Sequence, residues 1–253
     1  NHLDWHGTLE EYRVAKQSIL RWQTADDWCV TNGEDADISE WPHAAKAVRV
    51  FGSRNVAANA IQNSGEAWID ESGLARIRID EISANISEFP ICDWCSLRGR
   101  HNVANALLSA TAVRLAEVNL DGIRQGLQQF EALPHRLQFV GEVAGRKFFN
   151  DSISTTPEST IAALDSFDEP VVLLAGGYDK KVDLRELAQR IAGRTKAVSL
   201  LGQTASALRD FISEDNPSLP LAVGNDLESA FEWAVGQSSS GDVILLSPGC
   251  ASY

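Results

Sequence analysis

The apolar positions of this chain change their rhythm about halfway along it. Over residues 9–22 they recur at helical spacing, with Leu9, Tyr12, Ala15, Ile19 and Leu20 on one side. Thr8-Leu9-Glu10-Glu11 just ahead is a capping box, in which a hydroxyl and a carboxylate can satisfy the free amides of a helix start. Short runs over 28–31 and 48–51 read as strands. Residues 67–69 and 74–79 flank Asp70-Glu71-Ser72-Gly73, which has the composition of a hairpin turn. Consecutive helices are predicted over 102–118 and 120–133, and Leu133-Pro134 then punctuates the chain.

From that point short apolar runs alternate with amphipathic segments. The pattern predicts strands over 137–142 and 147–150 around a tight turn at Gly145, then a helix over 157–164. A strand over 171–175, a helix over 184–192 and a strand over 197–201 follow. Helices over 205–213 and 227–235 and a strand over 243–246 complete the series. Such alternation predicts an α/β fold with a parallel, doubly wound sheet. Two domains are expected, 1–132 and 133–253, with no internal repeat.

A chain of 253 residues, 44% hydrophobic, has the length and the apolar content for two modest cores. Its formal net charge of −13 argues against a nucleic-acid backbone or an anionic membrane as the main partner. An anionic small molecule stays possible, because a few placed cations suffice locally. No run approaches the roughly 18 apolar residues that span a bilayer, so no membrane insertion is expected. Four cysteines in a chain this long, with no signal-peptide pattern, point to a reduced cytoplasmic protein. Cys92-Asp93-Trp94-Cys95 has the spacing of half a zinc site or of a redox pair. No second pair lies nearby, which favours structural thiols. The chain starts at Asn1 and contains no methionine, so it reads as a piece of a longer protein.

Ligands of open α/β sheets bind at the carboxyl ends of the strands. Three polar clusters fall at such places: Asn150-Asp151-Ser152-Ile153-Ser154-Thr155-Thr156, Gly176-Gly177-Tyr178-Asp179-Lys180-Lys181, and Ser247-Pro248-Gly249-Cys250-Ala251-Ser252. Each alone could be an ordinary turn or helix cap, since Gly, Ser, Asn and Asp are common there. Together they predict one ligand-binding rim. In the first half, His2 and Asp4 could ligate or orient a divalent metal, whereas Lys16 as an ammonium could not.

These residues also carry a family resemblance. His2-Leu3-Asp4-x-His6-Gly7 followed by Tyr12-x-x-Ala15-Lys16 resembles the central-domain segment of the Mur ligases. Gly99-Arg100-His101-Asn102-Val103-Ala104-Asn105-Ala106 resembles that family's G-x-H-N-x-x-N-A helix start, and Leu133-Pro134-His135-Arg136 the opening of its C-terminal domain. Asn150-Asp151-Ser152, Gly176-Gly177-x-x-Lys180 and Leu246-Ser247-Pro248-x-Cys250-Ala251-Ser252 complete the series in the family's order. The last is most similar to the branch that adds D-glutamate to UDP-N-acetylmuramoyl-L-alanine.

The resemblance implies a partial P-loop-type ATPase central domain followed by a Rossmann-like C-terminal domain. It implies an ATP- and Mg2+-dependent ligase of peptidoglycan precursor synthesis, and so of cell shape and division, expected as a monomer. ATP would phosphorylate a carboxylate to an acyl phosphate, which the amine of glutamate attacks. By the same resemblance His2, Lys16 and Arg136 form the expected catalytic set. His2 and Lys16 would meet the metal, Lys16 after carbamylation turns its amine into an anionic oxygen ligand. Asn102 and Asn105 match adenine-side residues, and Arg136 and Asp151 match nucleotide contacts. Thr155, Lys180 and Ser252 match contacts to the incoming glutamate.

Two departures from the family pattern stand out. Ile153 occupies a position where the D-glutamate branch commonly has lysine, which leaves an L-glutamate-adding relative as an alternative. The phosphate-binding G-x-x-G-K-[ST] loop is absent from the chain and is expected upstream of Asn1. The isolated chain is therefore expected to show little or no catalysis. A ligase-like binding module without activity is the alternative from another class, which the upstream sequence would distinguish. A nicotinamide-dependent oxidoreductase is disfavoured, because the G-x-G-x-x-G fingerprint is missing.

Overall fold

The computed structural model describes residues 6–39, 41–52, 65–79 and 86–251. The chain divides between Glu131 and Ala132 into two compact units.

The first unit is built on a five-stranded sheet in the order β1 (Trp28–Asn32), β2 (Lys46–Phe51), β3 (Gly65–Ile69), β4 (Ala75–Ile79), β5 (Ser87–Phe89). The first three strands run parallel, and β3, β4 and β5 are antiparallel neighbours. Val48, Val50, Ala67, Ile69, Ile77 and Ile79 form its core with Ala106, Leu107 and Ala110 of helix Arg100–Leu115. That helix stops before the predicted 118, where Glu117 takes a left-handed φ of 64°. The next helix, Leu120–Gln129, is capped by Asn119, whose side chain accepts from the Gly122 amide at 2.9 Å. The β5 strand and the short helix Ile91–Trp94 have no counterpart in the sequence pattern, being too short to show a period.

The predicted hairpin forms between β3 and β4. Asp70 Oδ1 accepts from the amides of Ser72 and Leu74 and from the Ser72 hydroxyl, while Oδ2 accepts from Arg76 at 2.9 Å. Gly73 supplies the left-handed φ of 82° that the turn requires. The hydrogen bond from the Ser72 hydroxyl, then that from Arg76, hold the Asp70 carboxyl down to about 2. A carboxylate depressed on folding contributes stability that is present above its unfolded value of about 3.9. That contribution is lost as pH falls through about 2. Asp70→Asn should therefore lower the melting temperature at pH 7 by a few degrees, roughly, and flatten the stability profile between those two pH values. Circular dichroism melts across that range check both effects.

Helix Leu9–Arg21 starts as predicted, with Thr8 Oγ1 accepting from the Glu11 amide at 3.1 Å. Its apolar side is only partly buried. Leu20 alone is buried, against Cys29 and Ala45, whereas Leu9 is 50% and Ile19 75% exposed. Only the end of that face at Leu20 is covered among the described residues.

The second unit holds a six-stranded sheet, in the order β10 (Leu221–Val223), β9 (Thr195–Gly202), β8 (Val171–Gly177), β11 (Val243–Leu246), β7 (Arg146–Asn150), β6 (Gln138–Val143). All neighbours are parallel except β6 and β7. The expectation of a parallel sheet is thus corrected at its edge. Ala144 and Gly145, at φ 51° and 73°, close a tight turn, and a connection that short can only join antiparallel strands. The three-residue β10 lies between Pro220 and Gly224 and has no sequence signature of its own.

Alternating residues of β8 and β11 face opposite ways. Val171, Leu173, Ala175, Val243 and Leu245 pack with residues of helices Pro157–Leu164, Arg185–Arg194 and Ala205–Asp215. Val172, Leu174 and Ile244 pack with Ala230 and Ala234 of helix Leu227–Gln237. Burial on both faces is why these two strands read as unbroken apolar runs.

Candidate active site

The strand order sets β7, β11 and β8 side by side, so the three polar clusters predicted from the sequence emerge from adjacent strands at one edge. Backbone hydrogen bonds lace them together. The Asp151 amide donates to Leu246 O (2.8 Å), the Ser247 amide to Leu174 O (3.1 Å), and the Gly249 amide to Ser154 O (2.9 Å). The Gly176 amide reaches Pro248 O at 2.8 Å, and the Tyr178 amide reaches Ala251 O at 2.8 Å. The result is a continuous rim at the carboxyl ends of the strands, where α/β sheets bind their ligands.

The Gly-Gly pair in this rim is a packing device. A Cβ on Gly176 would lie 2.2 Å from Leu201 O, and one on Gly177 would lie 2.3 Å from Ala251 O. Behind it Thr204 is buried, its hydroxyl accepting from the Gly177 amide at 3.0 Å and donating to Cys250 Sγ at 3.3 Å. Burial pushes the Cys250 thiol above its ordinary value, consistent with a structural rather than a nucleophilic cysteine.

Asp151 is placed differently from its sequence-based role as a nucleotide contact. Its side chain points into the fold and the residue is 2% exposed. Oδ1 accepts from the Leu137 amide at 3.0 Å, and Oδ2 accepts from Ser247 Oγ at 2.7 Å. Ser247 Oγ in turn lies 2.8 Å from Thr160 Oγ1, and both residues are fully buried. A carboxylate taken out of water needs such partners to be tolerated. Thr160 and the Leu137 amide were not singled out in the sequence, and Ser247 entered only as the first residue of a strand-end cluster, with no role of its own. A lone hydroxyl ending the apolar run of β11 was the available signal.

Arg136 directly precedes Leu137, whose amide this network holds. It is exposed, and its guanidinium makes no hydrogen bond or ion pair with a described residue. The residues on either side of it, His135 at φ 65° and Leu137 at φ 42°, both occupy the left-handed region. The turn is tied to the rim by the Ile153 amide donating to His135 O (3.2 Å) and by a 3.0 Å contact between Asn150 Nδ2 and His135 Nδ1. Ile153 itself is 47% exposed. Thr155 is half-buried, one residue before Thr156, the cap of helix Pro157–Leu164, and Lys180 is exposed on the loop after β8. Next to it Lys181 pairs with Asp179 at 2.7 Å, which lowers the Asp179 carboxyl and raises the lysine. A cavity of about 470 Å³ opens beside this loop, lined by Asp179, Arg185, Gln203, Thr204 and Phe211 among others.

In the first unit, helix Arg100–Leu115 begins at Gly99, whose φ of 98° suits glycine. Asn102 is turned inward, its Nδ2 donating to Arg98 O at 2.7 Å, while Asn105 one turn later is exposed. Lys16 is exposed, its Nζ 5.5 Å from the centre of the Tyr12 ring, and His6 meets the edge of the same ring. His2 and Ser252 lie outside the described residues. Among the described residues no group of three or more His, Cys, Asp or Glu could hold a metal ion, and no helix is long and apolar enough to cross a membrane.

Comparison with known proteins gives this arrangement a lineage. The model of the Mur ligase middle domain matches residues 1–113, and that of the Mur ligase glutamate ligase domain matches residues 135–250. The UDP-N-acetylmuramoylalanine–D-glutamate ligases of Clostridium tetani and Acidobacterium capsulatum are each 35% identical to the chain, over 260 and 253 aligned residues. Those alignments cover 100% of this chain and 53% of each relative, so the chain spans about half the length of the curated relatives it matches. Among solved structures, MurC from Thermotoga maritima matches with a TM-score of 0.67 at 16% identity, covering 98% of this chain and 54% of that one. MurF from Acinetobacter baumannii matches with a TM-score of 0.68 at 18% identity, covering 98% and 54%. With the fold, the rim and both domain matches in agreement, the chain belongs to the Mur ligase family.

Proposed function

We propose that this chain is the catalytic-domain part of an ATP-dependent ligase that joins D-glutamate to UDP-N-acetylmuramoyl-L-alanine, a cytoplasmic step of peptidoglycan precursor synthesis. The observation that supports it best is the meeting of the three strand-end clusters on adjacent strands β8, β11 and β7, in a chain alignable end to end with D-glutamate ligases. The domain from residue 133 onward carries the glutamate side of the reaction. The domain up to residue 132 carries part of the nucleotide side.

In this reading the γ-phosphoryl group of ATP passes to the carboxylate of the muramoyl-alanine substrate. The glutamate amine then attacks the acyl carbon, and the tetrahedral intermediate expels phosphate. Arg136, exposed and without a side-chain partner among the described residues, offers a planar pair of donors for phosphate oxygens. Asn105 faces solvent where an adenine could meet it. Thr155, Lys180 and Ser252 would take the glutamate, with Lys180 as the cation for a side-chain carboxylate. His2 lies outside the described residues, and Lys16 ligates a cation only when carbamylated. The described donors therefore do not by themselves make a magnesium site.

The direct test is ligation by the full-length protein with D- and L-glutamate offered side by side. Amide formation with D-glutamate alone supports the proposal. Preference for L-glutamate would assign the chain to a different branch, in keeping with an apolar Ile153 at that edge. Ile153→Lys should lower the KM for D-glutamate by a few-fold, roughly the worth of one partly exposed ion pair.

A further inference from the structure

We infer that Asp151 is a positioning residue, whose carboxylate clamps the left-handed turn His135-Arg136-Leu137 onto the end of β11 and thereby aims Arg136. Three features of the geometry carry this. Both carboxylate oxygens are taken by protein donors, the Leu137 amide and the Ser247 hydroxyl, in a residue 2% exposed. Because Ser247 donates to Asp151, the 2.8 Å contact behind it requires Thr160 to donate to Ser247, which fixes the direction of the whole relay. Finally, the turn so held contains two non-glycine residues at positive φ, a conformation that persists only when neighbours over-determine it.

The relay joins parts of the chain that are distant in sequence. Helix Pro157–Leu164 contributes Thr160, Ser247 directly follows β11, and the Leu137 amide belongs to the residue directly after Arg136. The amide bonded by Asp151 thus sits on the C-terminal side of the arginine. The His135 carbonyl and ring, bonded to the Ile153 amide and to Asn150, hold the N-terminal side. Arg136 is gripped on both sides while its own side chain stays free. An arginine meant to meet an anion keeps its geometry in this way without losing its donors to an internal partner.

The inference uses the ligase reading only for what Arg136 touches, and the test has two arms so that the two can fail separately. In the first, backbone amide hydrogen exchange is measured on this chain. Asp151→Ala should speed exchange at Leu137 by about tenfold or more, the effect of losing a hydrogen bond to a charged group. Asp151→Asn, which keeps an oxygen acceptor, should recover most of the protection. Ser247→Ala should produce a smaller change in the same direction, and it serves in place of Asp151→Ala if that variant does not fold. Unchanged exchange at Leu137 in Asp151→Ala, or in Ser247→Ala where it stands in, would overturn the inference whatever the protein's activity.

In the second arm ATP turnover by the full-length enzyme is compared in single and double variants. Positioning predicts that Asp151→Ala lowers kcat about tenfold alone, a part of the loss expected for Arg136→Ala, and changes nothing further in an Arg136→Ala background, since the residues act as one unit. Multiplicative effects in the double variant would mean that Asp151 meets the nucleotide itself, and would overturn the inference. If unmodified enzyme shows no ATP-dependent ligation, the ligase reading falls, while the exchange arm still decides the role of Asp151.

Discussion

Gly176→Ala is expected to destabilise the second unit by about 3 kcal/mol or more, combining backbone strain with overpacking. Gly176 sits at φ 103°, and the added methyl would lie 2.2 Å from Leu201 O, 3.0 Å from Leu201 N and 3.2 Å from Leu201 C. Every one of those atoms is backbone of the neighbouring strand β9, so no side chain can rotate away. Relief requires prying β8 from β9 at the edge that carries the rim, or distorting the bond from the Gly176 amide to Pro248 O. For a domain of this size the loss corresponds to a fall in melting temperature on the order of 10 °C or more. Gly193→Ala is the matched control. Gly193 lies in helix Arg185–Arg194, and an added Cβ would meet nothing within 4 Å. There alanine should be neutral or stabilising by about 0.5–1 kcal/mol. Urea denaturation of the two variants, followed by tryptophan fluorescence and circular dichroism, separates a conformational requirement from a general intolerance of change.

The second large effect concerns turnover. In the full-length enzyme Arg136→Ala should reduce kcat by about 100- to 1,000-fold, the scale on which one preorganised donor at a site of developing charge matters. Stability should change little, because the guanidinium is exposed and makes no bond to a described residue. Arg136→Lys should recover only part of the loss. It keeps the charge but not the planar fork that meets two phosphate oxygens together. Steady-state kinetics at varied ATP would read this directly. Near-normal turnover in Arg136→Ala would show that the turn serves the fold alone.

Much of this architecture was legible in the sequence, for reasons that can be named. β8 and β11 are buried on both faces, so they appear as apolar runs too short for a helix and bounded by glycine, serine or proline. The polar clusters that follow β7, β8 and β11 were visible one by one. One rim was expected of them, but the strand order that builds it was not, because the insertion of β11 between β7 and β8 is a property of topology. Asp151 shows the sharper limit. Its donors lie 14 and 96 residues away in the chain, and no local pattern says that a carboxylate in an Asn-Asp-Ser turn points inward. Conversely, the spacing over residues 9–22 set Leu9, Ile19 and Leu20 on one side of helix Leu9–Arg21, yet Ile19 is 75% exposed. Periodicity reports which side of a helix is apolar, while burial needs an element to cover it.

The Cys92-x-x-Cys95 spacing also reads more clearly against the structure. Both thiols are free, Cys92 on the surface and Cys95 half-buried, and among the described residues no further metal-binding side chains gather around them. Partial desolvation of the thiol within an otherwise exposed residue, helped by the neighbouring Asp93 and Cys95, raises Cys92, the reverse of what an activated nucleophile needs.

Acyl-phosphate chemistry on a muramoyl-alanine carboxylate, the step proposed for the full-length protein, is reached most directly by one isotope experiment. Full-length protein is supplied with ATP, Mg2+, D-glutamate and UDP-N-acetylmuramoyl-L-alanine carrying 18O in the alanine carboxylate. Attack of that carboxylate on the γ-phosphorus and later expulsion of phosphate by the glutamate amine carry one labelled oxygen into inorganic phosphate, with ADP as the other product. The account predicts one 18O per phosphate released, and only when both the acceptor and D-glutamate are present. Release of AMP, or unlabelled phosphate formed regardless of the amino acid, would contradict it.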